Sequence, residues 1–377
     1  MKGLFKRVAI FFVVCCLWVL GCDVQAEAKG KYNASLYWDV LNYPACYKGK
    51  VQFERISETS YGETVTLSDS ESLKYVIKDV TGDGIKELLA MDSEHLFIFT
   101  QKYNKKTKNM KVSVMTVLRL IDEPTIYYRK IGSKRYLCID YGYAGTGTRT
   151  KLIYQGNGTK ITLKNTLLYG GNWQGYTDEI WSINGKTITK KKYNSYVKKY
   201  FAKKYKVKMK TKSYSYVTTP SAFDTMTDKL APSMVIIGSY AEKNVWNAQA
   251  RTFMATYAAT RYKTYKSKAK LSTVKKEMKN LFGTSKVKFS KAYPYSSVKK
   301  KGKWVTAPQG DFGCEVPYCS ILSTCKIGRG IYRTRCKVYI MAEEYSLEPY
   351  NIKYYYITFK KSGSKYGYNV KDIREIK

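Results

Sequence analysis

Acidic residues and glycines alternate in the segment DVTGDGIKEL, which spans residues 79 to 88 and runs directly into an apolar strand pattern. Asp79 and Asp83 place carboxylates at alternate positions, from which side-chain oxygens can face one centre. Gly84 permits the sharp turn of the chain that such an arrangement needs. Calcium prefers oxygen ligands of this kind, so the segment is a candidate calcium loop.

The loop begins like an EF-hand and then departs from one. In an EF-hand the twelfth position holds a glutamate that binds calcium with both carboxylate oxygens, whereas Ala90 stands there in this chain. Thr81 also replaces a carboxylate, and strands rather than helices are predicted on both sides of the loop.

From Tyr75 to Ala90 the segment resembles the D-x-[DN]-x-D-G-x-x-[DE]-[LI] loop of FG-GAP and VCBS-type repeats. In those families the loop holds calcium between strands of a surface β-domain, often in adhesion or substrate-binding proteins. A single copy cannot form the propeller that several repeats build. The calcium ligands that the resemblance implies are Asp79, Thr81, Asp83 and Glu87, with the carbonyl oxygen of Ile85 between them.

A metal-free interpretation of the same residues stays open. Asp79 and Asp83 can instead accept hydrogen bonds from their own backbone in an Asx-type turn. The role is structural in either case, because carboxylates that saturate one ion leave no open position for a catalytic water.

Residues for catalysis are few. His95 is the only histidine, so any Ser-His or Cys-His mechanism would have to use it. The adjacent acids at 343–344 and 178–179 would point to opposite faces of a strand. The GYAGTG segment at 142–147 lacks the Lys-Ser/Thr of a phosphate loop and predicts a hairpin. Well-separated carboxylates that form a glycosidase pair are the open alternative.

The N-terminus predicts export. A basic start precedes an apolar run from Val8 to Gly21, and small residues follow it, as in a secretory signal peptide. The favoured cleavage site follows Ala26, which makes residues 1–26 the signal peptide. The alternative is a lipobox ending at Cys22, which would then carry a lipid and tether the protein to the membrane.

Positive charge dominates the composition. The formal net charge is +38, which predicts attraction to a polyanion such as an anionic wall polymer, an acidic glycan or, less favoured, nucleic acid. A solvated lysine-rich surface that keeps the protein soluble is the alternative. The 37 tyrosines suit stacking on sugars or half-buried strand positions.

Nine cysteines occur in the chain, three of them in the predicted signal peptide. An even number outside the cell favours disulfides, and free thiols or metal ligands are the alternatives. The cysteines that remain after export are Cys46, Cys138, Cys314, Cys319, Cys325 and Cys336.

Alternating apolar and polar residues from Lys74 onward predict an antiparallel meander of strands. Asn157-Gly158 and Asn184-Gly185 predict hairpin turns between strands. Helical spacing of aromatic residues then predicts a helix from Lys190 to Tyr205, with its lysines in solvent.

A segment rich in serine, threonine and proline at 218–233 is the predicted linker. Two helices are predicted beyond it, at 243–257 and 273–282, and Gly283 is expected to end the second. Long strand patterns complete the chain. Helices followed by a curved antiparallel sheet resemble, in element order, nuclear transport factor 2-like and cystatin-like domains.

The predicted fold class is α+β, with a β-rich domain at 27–217 and a helices-then-sheet domain at 234–377. The arrangement also resembles uncharacterised exported proteins of Gram-positive bacteria, which implies a location at the cell surface or outside the cell. We expect a non-catalytic protein that binds an anionic or carbohydrate polymer, with calcium stiffening the first domain. A glycan-acting hydrolase and a lipid-tethered accessory protein are the alternatives.

Overall fold

The computed structural model of the protein describes most of the chain from Tyr32 onward. The described residues are 32–52, 62–68, 72–104, 108–120, 124–142, 147–170, 179–240, 246–260, 267–307, 315–342 and 350–376. The predicted signal peptide at 1–26 lies outside these ranges. None of the helices described is long and apolar enough to cross a membrane.

The chain is α+β and rich in β-sheet, as the sequence predicts. It divides into two compact units, of which the first ends at Lys212 and the second begins at Ser213.

The first unit contains two helices and thirteen strands among its described residues. The helices are α1 (Ser35–Asn42) and α2 (Lys190–Tyr200), with short 3-10 turns at Pro44–Cys46 and Lys203–Tyr205. The strands are β1 (Lys48–Gln52), β2 (Thr64–Thr66), β3 (Leu73–Lys78), β4 (Glu87–Met91), β5 (His95–Asn104), β6 (Asn109–Arg119), β7 (Thr125–Ile131), β8 (Lys134–Gly142), β9 (Arg149–Asn157), β10 (Lys160–Gly170), β11 (Ile180–Ile183), β12 (Lys186–Thr187) and β13 (Lys210–Lys212).

These strands form two sheets. Sheet A has seven strands in the order β13-β3-β4-β5-β6-β1-β2, and sheet B has six in the order β12-β11-β10-β9-β8-β7. Consecutive strands from β3 to β6 and from β7 to β12 pair antiparallel, as the predicted meander requires. One pair differs from the prediction: β1 runs parallel to β6, with Val51 opposite Val117. A parallel neighbour needs a long connection, and β2 to β5 lie between these two strands in the chain.

An apolar layer separates sheet A from sheet B. Leu89 and Ile98 from sheet A are buried there in one cluster with Ile139 and Leu152 from sheet B. Helix α1 lies on the other face of sheet A, where the Tyr37 hydroxyl donates to the carbonyl oxygen of Lys86 at 2.7 Å. The first unit is therefore layered, with sheet A covered on both faces.

Helix α2 packs its tyrosine stripe on the outer face of sheet B. The Thr189 side chain caps the helix by accepting a hydrogen bond from the amide of Lys192. Tyr193 and Tyr200 are buried, whereas the lysines of the helix are exposed to solvent. The predicted amphipathic helix is thus confirmed. It ends at Tyr200 rather than Tyr205, because Phe201 leaves the helical conformation.

Hairpin turns lie at both predicted Asn-Gly pairs, but only Asn184-Gly185 forms the central pair of its turn; Asn157 is the last residue of β9. Asn184 and Gly185 have φ values of 51° and 77° and join β11 to β12. Gly158, with a φ of 63°, closes the hairpin between β9 and β10. Positive φ values favour asparagine at 184 and glycine at 158 and 185.

The second unit contains three helices and eight strands among its described residues. The helices are α3 (Ser221–Tyr240), α4 (Ala248–Thr260) and α5 (Leu271–Phe282), and a short 3-10 turn spans Tyr295–Ser297. The strands are β14 (Ser215–Tyr216), β15 (Lys268–Lys270), β16 (Lys299–Lys301), β17 (Trp304–Thr306), β18 (Glu315–Gly328), β19 (Ile331–Ala342), β20 (Tyr350–Lys361) and β21 (Tyr368–Ile376). Sheet C has the order β14-β18-β19-β20-β21, and the small sheet D has the order β15-β17-β16.

The segment at 218–233, predicted as a linker, is mostly helical and belongs to α3. Phe223 and Leu230 lie two turns apart and are buried in the core of the second unit. The hydroxyl residues that suggested a loop are satisfied within the helix, because Thr227 and Ser233 donate to carbonyl oxygens three residues earlier. Composition alone therefore did not indicate the helix in this segment.

The other two helices of the second unit lie near their predicted positions. Helix α5 begins at Leu271, two residues earlier than expected, and Gly283 ends it with a φ of 70°, as predicted. Helix α4 begins at Ala248 in the part of the chain that the structure describes, and residues 241–245 lie outside it.

The helices of the second unit pack on one face of sheet C. Val338, Ile357 and Phe359 point to this side and share a buried cluster with the helices. The rings of Phe223 and Phe359 stack with their centroids 3.9 Å apart. The core of the second unit therefore lies between its helices and this face of sheet C.

Gly156 allows the β9–β10 hairpin to approach the loop at 79–88. An added Cβ at Gly156 would lie 2.2 Å from the carbonyl oxygen of Val80 and 2.8 Å from Cα of Thr81. The amide of Gly158 donates to the Thr81 carbonyl oxygen at 3.2 Å. Backbone contacts from sheet B therefore hold the candidate calcium loop in place.

Gly156→Ala is expected to lower the free energy of unfolding by about 1–3 kcal/mol, because the added methyl group forces two backbone segments apart. Gly170→Ala is the matched control, since an added Cβ there meets only Cβ of Ile180, at 4.0 Å. Urea unfolding of both variants measures the difference. Equal stability of the two variants would contradict the close approach.

Candidate functional site

The segment at 79–88 comprises the loop between β3 and β4 of sheet A and the first two residues of β4. Gly82 and Gly84 have φ values of 87° and 86°, which residues with a side chain rarely adopt. Two such positions so close together curl the chain into a compact loop. The glycines of the motif therefore have a conformational explanation, whether or not the loop binds an ion.

Two carboxylates of the loop accept hydrogen bonds from its own backbone. Asp79 Oδ1 accepts from the amide of Gly82 at 2.6 Å, and Asp83 Oδ1 accepts from the amide of Ile85 at 2.8 Å. The Thr81 hydroxyl donates to Asp83 Oδ1 at 3.1 Å. These are the bonds expected of an Asx-type turn.

Glu87 is fully buried, and donors surround its carboxylate. Its Oε2 accepts from the amides of Val80 and Thr81 at 2.8 and 3.3 Å, and its Oε1 accepts from the hydroxyls of Thr81 and Thr100, each at 3.4 Å. Removal from water nevertheless raises the pKa of Glu87 to about 7, and repulsion from Asp83 contributes. The loop therefore contains a carboxyl group that titrates near neutral pH.

The five predicted calcium ligands lie in this one loop, in an arrangement that favours hydrogen bonding. Among the described residues, no three or more His, Cys, Asp or Glu side chains are grouped so as to hold a metal ion. Glu87 faces backbone amides, and the Thr81 hydroxyl lies between Asp83 and Glu87. Binding of calcium would exchange some of these hydrogen bonds for bonds to the ion. The residues for which calcium binding stays a prediction are Asp79, Thr81, Asp83, Ile85 and Glu87.

Calcium is expected to raise the unfolding temperature of the purified protein relative to a chelator, because an ion that binds only the folded loop stabilises it. Asp83→Ala should abolish the rise. The matched control is Glu94→Ala, which removes an exposed acid of the same unit outside the loop. Calorimetry measures the shift, and identical unfolding temperatures with calcium and with chelator would identify the loop as a metal-free turn.

Burial of Glu87 predicts a pH dependence of stability in the metal-free protein. The pKa of Glu87 is raised from 4.5 to about 7 on folding, so the folded chain binds this proton more tightly than the unfolded chain. The contribution of Glu87 to the free energy of unfolding is therefore fully present below pH 4.5 and is lost as the pH rises through 7. The total fall from this group is on the order of 3 kcal/mol. Glu87→Gln keeps an acceptor for the amides but cannot ionise, so it should lack the fall.

Urea unfolding of both proteins with a chelator, from about pH 5 to about pH 8, measures this effect. The difference between the two profiles removes the contributions of all other titrating groups. Parallel profiles would show that Glu87 ionises as easily in the folded protein as in the unfolded chain.

His95 has a structural explanation. Its Nδ1 lies 3.5 Å from Asp92 Oδ1. Asp92 also accepts from the amides of Glu94 and His95, at 3.0 and 2.7 Å, and from the amide of Ser68 at 3.1 Å. These contacts close the turn between β4 and β5. The acids at 343–344, Asp178 and residues 143–146 of the GYAGTG segment lie outside the described residues.

The predicted disulfides are absent among the described cysteines. The register of β18 and β19 places Cys319 opposite Val338, diagonal to Cys336. A hydrogen bond to Cys319, together with burial, raises the pKa of Cys336 well above its ordinary value. Cys314 lies outside the described residues. The described cysteines that form no disulfide are Cys46, Cys138, Cys319, Cys325 and Cys336.

A second candidate surface is the face of sheet C opposite the helices. Residues directly opposite each other in antiparallel strands share a face. The register pairs Tyr318 with Tyr339, Lys337 with Tyr354, and Arg335 with Tyr356. The intervening residues of β19 point to the helices. We call this surface the open face, and its residues are Tyr318, Ser320, Arg333, Arg335, Lys337, Tyr339, Tyr354, Tyr356, Asp372 and Arg374.

Cations and aromatic rings lie against each other on the open face. The rings of Tyr318 and Tyr339 stack with their centroids 5.7 Å apart, and Lys337 Nζ lies 5.1 Å from the Tyr339 centroid. The Arg335 guanidinium lies 6.0 Å from the ring centroid of Tyr354. Tyr318 and Tyr354 remain 42% and 37% exposed, so their rings are accessible to a ligand.

One end of the open face is closed by a buried arginine. The Arg333 guanidinium lies between the rings of Tyr214 and Tyr356, 4.8 and 4.5 Å from their centroids. On the edge strand β21, Arg374 forms an ion pair with Asp372. Among the described residues of the open face, Asp372 is thus paired with a cation, and Arg335 and Lys337 add further positive charges.

The sequence analysis missed this surface. The signal was present in YRTRCKVYIM, where Arg333, Arg335, Lys337 and Tyr339 occupy alternate positions of one strand. The tyrosines opposite them come from other strands, so their proximity depends on strand register.

The loop and the open face are two candidate sites among the described residues. No family model, curated protein or solved structure matches this chain. Function is therefore inferred from the chemistry of these residues alone.

Proposed function

We propose that the protein is an exported, surface-associated binding protein for an anionic or carbohydrate polymer and that it acts without catalysis. Calcium stiffening of the loop at 79–88 is part of this proposal, as is the order of a β-rich domain followed by a helices-then-sheet domain. Nucleic acid is a less favoured partner. Contact with a membrane would come only through a lipid on Cys22.

The open face is the observation that carries the proposal. Guanidinium and ammonium groups such as those of Arg335 and Lys337 attract phosphate, sulfate and carboxylate groups. Exposed tyrosine rings offer flat apolar faces with a polar edge, on which sugar rings can pack. A sheet face admits an extended chain along its strands, so the surface suits a polymer better than a small molecule.

A hydrolase is less well supported. Glycoside hydrolysis uses two carboxyl groups that flank the substrate, one of them with a raised pKa. Glu87 has a raised pKa, but it is fully buried and hydrogen-bonded to backbone amides, so it cannot reach a sugar in this conformation. Asp372 on the open face is paired with Arg374. Mass spectrometry of the N-terminus of the secreted protein distinguishes the lipid-tethered alternative, because a lipid on Cys22 would add mass to the first residue of the mature chain.

Replacement of Lys337 and Tyr354 by alanine should weaken binding of dextran sulfate by roughly tenfold or more, because one variant loses both a cation and a stacking surface. The matched control is Lys275→Ala with Tyr103→Ala, which removes the same residue types from exposed positions elsewhere. Fluorescence anisotropy with labelled polymer measures both affinities. Equal loss in the two double variants would contradict a site on the open face.

The salt dependence separates the two kinds of polymer. Binding of dextran sulfate through Arg335 and Lys337 should weaken steeply as salt increases. Uncharged dextran, measured in parallel, should bind with little dependence on salt if the tyrosines carry the interaction. Absence of binding to both polymers would contradict the proposed function.

A further inference from the structure

Two cysteines are neighbours on adjacent strands of sheet C. The register of β18 and β19 places Cys319 opposite Val338 and Cys336 opposite Ile321, so the two cysteines lie diagonally across the strand pair. Both belong to the side of the sheet that the helices cover, where Cys336 is buried in the core of the second unit and Cys319 packs against that core. Strand pairing therefore fixes the two side chains beside each other.

The two thiols are in direct contact. A hydrogen bond joins the side chains of Cys319 and Cys336, and neither sulfur is part of a disulfide in the structure. Diagonal neighbours have Cα atoms about 7–8 Å apart, with their Cβ atoms closer. Disulfides usually span Cα distances of about 4.4–6.8 Å, so a small approach of the strands would allow the bond. The register is already irregular between Ile321 and Ser323, close to the pair, where the strand ladder yields most easily.

The two thiols differ in their access to an oxidant. Cys319 is partly exposed, whereas Cys336 is fully buried. The hydrogen bond to Cys319, together with burial, raises the pKa of the Cys336 thiol well above its ordinary value. A thiol attacks a disulfide as its thiolate and only where the disulfide can reach it. Cys319 is therefore the thiol that an oxidant meets first.

Cys325 lies on the same strand but on the other face of the sheet. The extra residue between Ile321 and Ser323 shifts the alternation of faces along β18. Cys325 consequently lies opposite Arg333, which belongs to the open face. Its side chain is separated from Cys336 by the sheet itself, so Cys325 is a matched control for Cys319.

We propose that Cys319 and Cys336 are an oxidisable pair, which closes to a disulfide by exchange with a low-molecular-weight disulfide. The Cys319 thiolate attacks one sulfur of the oxidant, which leaves a mixed disulfide on Cys319 and releases a first thiol. Cys336 then loses its proton to water, and its sulfur attacks that of Cys319 and displaces the second thiol. The two cysteines lose two hydrogen atoms, and the oxidant is reduced to two thiols. The cross-link joins β18 to β19 and does not require polymer binding.

Oxidised glutathione, added to the reduced, purified chain without denaturant, tests the proposal. The reaction is stopped with acid, the chain is unfolded, and the remaining thiols are alkylated. The chain should contain one internal disulfide, and the tryptic peptide at 304–326 should be joined to the short peptide that contains Cys336. Complete alkylation of Cys336 after this treatment would overturn the proposal.

Alanine variants assign the partner of Cys336, because Cys314, Cys319 and Cys325 share one tryptic peptide. Cys319→Ala should abolish the cross-link to Cys336, whereas Cys325→Ala should leave its yield unchanged. A cross-link that survives Cys319→Ala would overturn the pairing. Loss of the cross-link in Cys314→Ala, with Cys319 still present, would overturn it as well.

The order of attack is tested with Cys336→Ala. Glutathione should accumulate on Cys319 in this variant, because no second thiol is present to displace it. Cys319→Ala should leave Cys336 unmodified, since the buried thiol is out of reach of the oxidant. Glutathione on Cys336 in that variant would overturn the assignment of Cys319 as the first thiol. Oxidation of the unsubstituted chain needs no variant, so it remains decisive if a core substitution prevents folding.

Discussion

Positive charge is the constraint under which this chain folds, with 67 lysine and arginine residues against 29 aspartate and glutamate residues. Too few acids exist to pair with the cations, and aromatic rings take part of that role. Lys78 lies 4.4 Å from the ring centroid of Tyr128, Lys190 lies 5.1 Å from that of Trp181, and Arg129 lies 4.7 Å from that of Tyr205. The quadrupole of the ring attracts the cation, and the aliphatic stem shields the ring from water. This pairing gives a physical reason for the abundance of tyrosine.

Two of the acids pair with cations that are largely buried. Asp140 is buried in sheet B, where it pairs with Lys151 and with Arg149, whose Nε lies 2.7 Å from Asp140 Oδ1. Burial lowers the pKa of Lys151, and the contact with Asp140 opposes that effect. In the second unit, Lys229 and Glu277 form a second largely buried pair at 3.3 Å. Ion pairs and aromatic rings thus both accommodate the positive charge, and the buried Arg333 shows that rings do so inside the second unit as well.

The local sequence was enough to predict some elements, whereas others depend on tertiary contacts and could not be predicted from it. The turn at Asn184 and the end of α5 at Gly283 depend on backbone conformations that few residues adopt, so sequence alone located them. The helix across 218–233 was missed because the buried spacing of Phe223 and Leu230 was outweighed by a loop-like composition. The open face depends on register between β18, β19 and β20, which is a tertiary property. The hydrogen bonds of Glu87 to the loop amides could not be predicted either, because the residues next to a carboxylate in the sequence do not show whether it is buried.

Strand β13 has a consequence for how the first unit can be assembled. Its residues, Lys210–Lys212, pair with β3 near the opposite end of the unit's sequence, so this edge of sheet A is completed only by the last residues of the unit. Pairing of strands so far apart in the sequence carries a large loss of chain entropy, so it is expected to follow formation of the local hairpins. A nascent chain that has emerged only as far as α2 therefore exposes the edge of β3 to other strands. Pairing of β13 with β3 both completes the first unit and protects the edge of β3.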